Sequence, residues 1–255
     1  GRTLDEKFPA RESHIGEVAL EVKGLEVPNT IYDISFQVHK GEVLGFSGLV
    51  GSGRTSTAKA IVGAISKSKG EIYVHGKQVK INSPLDAINN GIGYLPEDRK
   101  TEGLILSKSV KENITLASLT KKFYRGFIIN HKKEAVVAQE YREKLRIKTP
   151  GINRQVKFLS GGNQQKVVFA KWLCSEVDVY IFDEPTRGID VGAKSEIYQI
   201  INDLVAQGAA VIVISSELPE ILGVCDRVIV MRDGWITANI DRADATQEKI
   251  MSYSI

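Results

Sequence analysis

An apolar run, Val43 to Phe46, is followed by Gly48-Leu49-Val50-Gly51-Ser52-Gly53-Arg54-Thr55 and then by a helix-forming stretch from Ser56 to Ala64. Strand, glycine loop and helix in that order leave few options. The glycines let the backbone turn tightly, and the N–H groups that open the helix have no partners of their own. Such a corner holds anions, phosphate above all, so the backbone N–H groups of Gly51 to Thr55 are expected to cradle phosphate, with Ser56 beside them. The Thr55 hydroxyl would reach a Mg²⁺ ion. One residue departs from the usual pattern: Arg54 stands where a lysine is expected. A planar fork on a longer stem is not a compact point charge, so Arg54 is not expected to occupy the same place against the phosphates.

A second stretch points the same way. Leu159-Ser160-Gly161-Gly162-Asn163-Gln164-Gln165-Lys166-Val167 opens an amphipathic run to Leu173, with Ser160 expected as its N-cap. Further on, Val177 to Phe182 reads as a buried strand ending in Asp183-Glu184-Pro185-Thr186. Two carboxylates at a strand's carboxyl end suit a nucleotide site: Asp183 for the Mg²⁺ shell, Glu184 to polarise an attacking water. Arg187-Gly188-Ile189-Asp190 then turns the chain into a helix, Ala193 to Ala206.

The remaining chain reads as α/β. Alternating runs between Val18 and Val38, with a turn at Pro28-Asn29, imply antiparallel strands. Strands are expected at Glu71 to Val74, Val79 to Ile81, Ala210 to Ile214, Val228 to Met231 and Trp235 to Ile240, the last two joined by an Asp233-Gly234 turn, and Ile92 to Glu97 reads as a strand ending in a loop. Helices are expected at Pro84 to Asn89, Val110 to Ala117 and Lys132 to Arg146, the last with Ala135, Val136, Ala138, Tyr141 and Leu145 on one face. Residues 98–158 thus form a helical insertion between two halves of a core, 17–97 and 159–255. Residues 1–16, polar and aperiodic around Pro9, read as a linker, and the missing initiator Met points to a fragment of a longer chain.

At 255 residues, 42% apolar and 25% charged, the chain is long enough for a full core. Its longest apolar run, Ala209 to Ile214, is far shorter than a membrane-spanning helix. Cys174 and Cys225 lie among apolar neighbours without motif spacing, as core thiols of a reducing compartment. The four His are scattered, against a His-built metal site. The net charge of +3 hides an asymmetry: residues 98–157 hold 15 Lys and Arg against 6 Asp and Glu. That surplus fits a solvated helical face, or a surface near anionic headgroups or a partner. Nucleic acid is not an expected partner, because Phe123, Tyr124, Phe127 and Tyr141 form no stacking pattern.

Taken together, the Gly48 to Thr55 loop, Leu159 to Gln165, Asp183-Glu184 and Asp190 resemble an ATP-binding cassette (ABC) ATPase, a P-loop NTPase core with an antiparallel β subdomain and an inserted α-helical subdomain. Leu159-Ser160-Gly161-Gly162 is similar to the family's signature motif. Pro96 to Lys100, Leu159 to Val167 and Asp183 to Lys194 are similar to the second cassette of bacterial sugar importers of the ribose, galactose and xylose type, where two cassettes share one polypeptide. The resemblance implies that two cassettes sandwich ATP and Mg²⁺, each site joining one cassette's P-loop and carboxylates to the other's signature motif. It implies a first cassette on the same polypeptide, transmembrane permease subunits, a periplasmic or extracellular sugar-binding protein, and a place at the cytoplasmic face of the membrane. Ser160, Gly161, Gly162 and Asp190 then join Gly48, Gly51, Ser52, Gly53, Arg54, Thr55 and Ser56 as nucleotide contacts, and Glu97, at the loop facing the permease, joins Thr55 and Asp183 at the metal. Ser216 stands at the position of a γ-phosphate-sensing His, Glu97 at that of a Gln, and Leu25 to Val27 where an aromatic usually stacks on adenine. These departures, with Arg54, imply slow turnover at this half's own site. The alternative to an ATP-hydrolysing half is a mainly non-hydrolytic module that lends its signature motif to its partner. Soluble ABC proteins of translation or repair fit less well, because the insert of residues 98–157 is too short for a coiled coil.

Overall fold

The computed structural model describes residues 8, 9, 11, 14–125 and 128–255. From the amino end, β1 (Val18–Val27) and β2 (Ile31–His39) form a hairpin, and β3 (Val43–Gly48) leads into α1 (Arg54–Ile61). β4 (Lys69–Val74) and β5 (Lys77–Val79) complete an antiparallel sheet in the order β2-β1-β4-β5. Next come α2 (Pro84–Asn89), β6 (Ile92–Leu95), α3 (Val110–Thr115), a hairpin of β7 (Tyr124–Arg125) and β8 (Ile128–Ile129), and α4 (His131–Lys144). The chain closes with α5 (Gly161–Ser175), β9 (Val179–Asp183), α6 (Val191–Ala206), β10 (Ala210–Ile214), α7 (Leu218–Val224), β11 (Arg227–Arg232), β12 (Trp235–Asp241) and α8 (Gln247–Ser254).

The main sheet has the order β12-β11-β3-β10-β9-β6, parallel throughout except for the β11–β12 hairpin. Its central strands are apolar on both faces, as a sheet covered on both sides requires. The two-residue period sorts them. Ile181, Ile212 and Ile214 face a core shared with α1 and the antiparallel sheet, while Tyr180, Phe182, Val211 and Val213 face α5, α6 and the helical insertion. Cys174 and Cys225 are free and buried.

Several boundaries differ from expectation for local reasons. The helix expected to reach Ala64 stops at Ile61. Gly63 takes φ +69° and the chain closes in a Schellman turn, Ala64 N–H donating to Lys59 O (2.8 Å) and Gly63 N–H to Ala60 O (3.3 Å). The strand expected at 79–81 is Lys77–Val79, because His75 and Gly76, both at positive φ, make a tight turn that brings it back on β4. The Asp233-Gly234 turn has both φ values positive, as its sequence implies. On α4, Ala138 and Leu145 are buried but Val136 is 58% exposed. Glu134 takes the inward place, accepting from Thr115 Oγ1 at 2.8 Å. The hairpin β7–β8, α7 and α8 are elements the sequence pattern did not announce.

Of the stretch read as a linker, residues 1–7, 10, 12 and 13 lie outside the described residues, as does Phe127. Phe8, Pro9 and Arg11 pack on the core rather than stand free: Phe8 lies against Tyr198 (4.9 Å between rings), Asn202 Nδ2 donates to Pro9 O (3.0 Å), and Arg11 pairs with Asp226 at 2.5 Å. Among the described residues, no helix is long and apolar enough to cross a membrane.

Candidate functional site

In a parallel sheet every strand delivers its carboxyl end to the same edge, where such folds hold ligands. Here that edge collects Gly48 from β3, Glu97 beyond β6, Asp183 and Glu184 from β9, and Ser215 and Ser216 after β10. The resulting cleft, about 560 Å³, is lined by Gly51 to Ser56, Glu97, Glu184, Arg187, Lys194 and Ser216, among others.

Two glycines are demanded by the turn. A Cβ on Gly48 (φ +149°) would lie 2.3 Å from Met231 O, and one on Gly53 (φ +101°) 2.6 Å from Ile31 Cγ2. α1 then begins at Arg54 with no side-chain cap and no acidic residue in its first turn, leaving its opening N–H groups and positive dipole end to the cleft.

Arg54 does not point its charge outward. The side chain is 8% exposed, and Nη1 donates to Ser215 O at 2.8 Å. Burial pushes its pKa down, opposed by Glu184 and Asp183. The other cations of the cleft are engaged as well: Arg187 pairs with Glu97, and Lys194 Nζ lies 2.5 and 2.7 Å from the two oxygens of Glu217.

Asp183 is fully buried. Burial pushes its pKa up to about 6, against the opposing pull of the Thr55 and Tyr94 side chains. Tyr94 Oη donates to Oδ2 at 3.0 Å, whereas Oδ1, like Ser52 Oγ, is buried with no partner. Buried oxygens without donors are costly unless something occupies them, and Asp183 faces the Thr55 side chain. That donor set fits Mg²⁺, which takes one or two carboxylates and completes its shell with hydroxyl, water and phosphate oxygens. Among the described residues no group of three His, Cys, Asp or Glu could hold a metal without such help. Glu97 is at the same cleft, and its Oε1 pairs with Arg187.

Glu184 sits at φ +49°, a strained backbone for a side chain of its size. Its N–H donates to Ile214 O and its Oε1 accepts the Ser216 N–H, both at 2.8 Å. Ser216 therefore contacts the carboxylate through its backbone.

Behind both strand ends lies Glu220, 2% exposed and unannounced by the sequence. It accepts from Ser215 Oγ and from Thr186 Oγ1 (3.0 Å). Glu184 and Ser216 are thus carried on loops pinned by one carboxylate. Tyr94 was also missed; its position two residues before Pro96 carries no local signal.

Ser160, Gly161, Gly162 and Asp190 are not among the residues that line this cleft. Ser160 opens α5, but its hydroxyl makes no capping bond to the backbone, contrary to expectation. Asp190 caps α6, accepting from Ala193 N–H at 2.9 Å. The two turns pack together: Cβ positions on Gly161 and Gly162 fall 3.1 Å from Gly188 O and 3.2 Å from Ala193 Cβ. Arg99 sits between them, donating to Arg187 O at 2.8 Å.

Comparison with known proteins accords with this geometry. The profile of the family described as ABC transporter matches residues 31–187. The chain is 50% identical over its full length to the ribose import ATP-binding protein RbsA of Clostridium tetani, and 53% identical to that of Caldanaerobacter subterraneus. It spans about half the length of these curated relatives, 50% and 51%. A solved, nucleotide-free ATP-binding cassette of an ABC transporter superposes with a TM-score of 0.80 at 21% identity, covering 94% of this chain and 99% of that one. A dimeric cassette bound to ADP and Pi gives 0.75 at 21% identity, covering 88% and 98%. This chain is an ATP-binding cassette and belongs to the ABC transporter family.

Proposed function

We propose that the chain is the C-terminal half of a two-cassette sugar importer ATPase, acting at the cytoplasmic face of the membrane with permease subunits and an external sugar-binding protein. Its own P-loop binds ATP and turns it over slowly; its Ser160-Gly161-Gly162 turn serves ATP held by the first cassette. The observation that carries this reading is the split geometry. The signature turn is absent from the cleft lined by Gly51 to Ser56, and inside that cleft Arg54 is bonded to the Ser215 carbonyl.

In this reading Gly48, Gly51, Ser52, Gly53, Thr55 and Ser56 hold the phosphates through backbone and hydroxyl groups. Thr55 and Asp183 hold Mg²⁺, joined by Glu97. The ion, when bound, neutralises charge on the phosphate oxygens. Glu184 is oriented as a base by the Ser216 N–H, but Ser216 offers no imidazole to bridge that carboxylate and the γ-phosphate. Asp190 holds the start of α6 against Gly162, so the turn keeps its shape.

A hydrolytically competent half, the first reading drawn from the sequence, competes with this one and is favoured by the intact and anchored Glu184. ATPase assay of the full two-cassette chain, with the first cassette's own catalytic carboxylate changed to its amide, separates the two, because each site needs the other cassette's signature motif. With this half unaltered, turnover is expected at or near background, and Arg54→Lys combined with Ser216→His is expected to raise turnover by roughly 10-fold or more, the worth of one well-placed cation or donor. Brisk turnover with this half unaltered would overturn the slow-site reading.

A further inference from the structure

Asn163 makes two hydrogen bonds that use both ends of its amide. Its Oδ1 accepts the Lys148 N–H at 2.7 Å, and its Nδ2 donates to Ser160 Oγ at 2.9 Å. A backbone N–H can only donate, so the amide oxygen must face Lys148 and the NH₂ must face Ser160. This settles the hydroxyl's polarity. Ser160 Oγ accepts from Asn163 and makes no capping bond to its own helix, so its single proton is left to donate away from the turn. Ser160 is exposed at the start of α5, where the first-turn N–H groups lack intrahelical partners.

We propose that Asn163 is a positioning residue that fixes Ser160 as an outward-facing hydrogen-bond donor to a phosphate oxygen. The proposal rests on the reading that the signature turn serves ATP of the first cassette. It adds that the donor is set from within this chain, by an amide tied to the loop after α4. Without the amide, the hydroxyl would be free to turn inward and cap the N–H groups of its own helix, as serines at N-caps do. Anchoring at Lys148 N also makes Ser160 sensitive to where the helical insertion lies.

The test is a double-mutant cycle on ATP turnover by the full two-cassette chain with its membrane subunits in proteoliposomes, with KM and melting temperature recorded for each variant. Ser160→Ala is expected to lower kcat roughly tenfold, the loss of one charge-assisted donor. Asn163→Leu is expected to lower kcat several-fold with KM little changed, and to add nothing in the Ser160→Ala background. A merely structural role would reduce turnover equally in both backgrounds, and that product of effects overturns the proposal. So does an Asn163→Leu variant with unaltered kcat. Ser160→Ala at full turnover would instead sink the reading of the signature turn, and the proposal with it.

Discussion

Gly162→Asp in this chain is expected to abolish ATP-driven sugar uptake by the proposed two-cassette transporter, to below about 1% of the unaltered protein, while the first cassette's P-loop still binds nucleotide. The expected size follows from two effects. A Cβ at 162 would already lie 3.2 Å from Ala193 Cβ and 3.8 Å from Asp190 Oδ2, so a carboxyl group has no room on the inner side and lies against a like charge. Turned outward, it places a negative charge where the proposed phosphate sits, and like charges in such a site cost several kcal/mol. Uptake in proteoliposomes measures the loss, and photolabelling with an azido-ATP analogue, assigned to one cassette by proteolysis, reports on the first cassette. Gly162→Ala, which needs only a small shift against Ala193, should retain part of the activity. Uptake that survives Gly162→Asp would refute the role of this turn at the partner's site.

Glu220→Leu carries the largest expected effect on stability. Glu220 is almost fully buried and is shared by two hydroxyls, from Ser215 and Thr186. Leucine matches its bulk roughly but leaves those groups without an acceptor, at about 1–3 kcal/mol for each that finds no new partner. A loss of about 3–5 kcal/mol by urea denaturation is expected, against less than about 1.5 kcal/mol for Glu220→Gln, whose amide oxygen still accepts. The acid side of the profile adds a check. Burial raises the Glu220 pKa. The folded chain therefore holds this proton more tightly than the unfolded one, and the stability contributed is present below the unfolded value and lost as pH rises through the folded one. Glutamine does not titrate, so the gap between wild type and Glu220→Gln should move in favour of glutamine as pH climbs from about 4.5. A gap independent of pH, or a Leu variant as stable as the Gln variant, would contradict this account of the carboxylate.

Much of the core was legible because its cues are local. Val179 to Phe182 and Ala210 to Ile214 are apolar runs of strand length, and Asp233-Gly234 has the residue types a two-residue hairpin demands. The loop Gly48 to Thr55 was legible for the same reason, since its glycines answer to steric needs within a few residues. What escaped depends on distant partners. Arg54 was marked as a misfit, yet that its guanidinium would find Ser215 O, 161 positions away, is a property of the strand order. Glu220 carried no local signal, because Thr186, which bonds it, lies beyond another strand end. The missing cap at Ser160 has the same origin. The residue type was right for a cap, but Asn163, held by Lys148, claims the hydroxyl first.

The central claim is that this half lends its signature turn to the first cassette while contributing little hydrolysis of its own. Glu184→Gln tests it most directly, because the change removes this site's base, keeps the acceptor for the Ser216 N–H and leaves Ser160 to Gly162 untouched. Steady-state ATP turnover of the full two-cassette chain carrying Glu184→Gln, assembled with its membrane subunits, should stay within about twofold of the unaltered protein. Complete loss of hydrolysis would show that this half's own site drives the cycle, and would contradict the account.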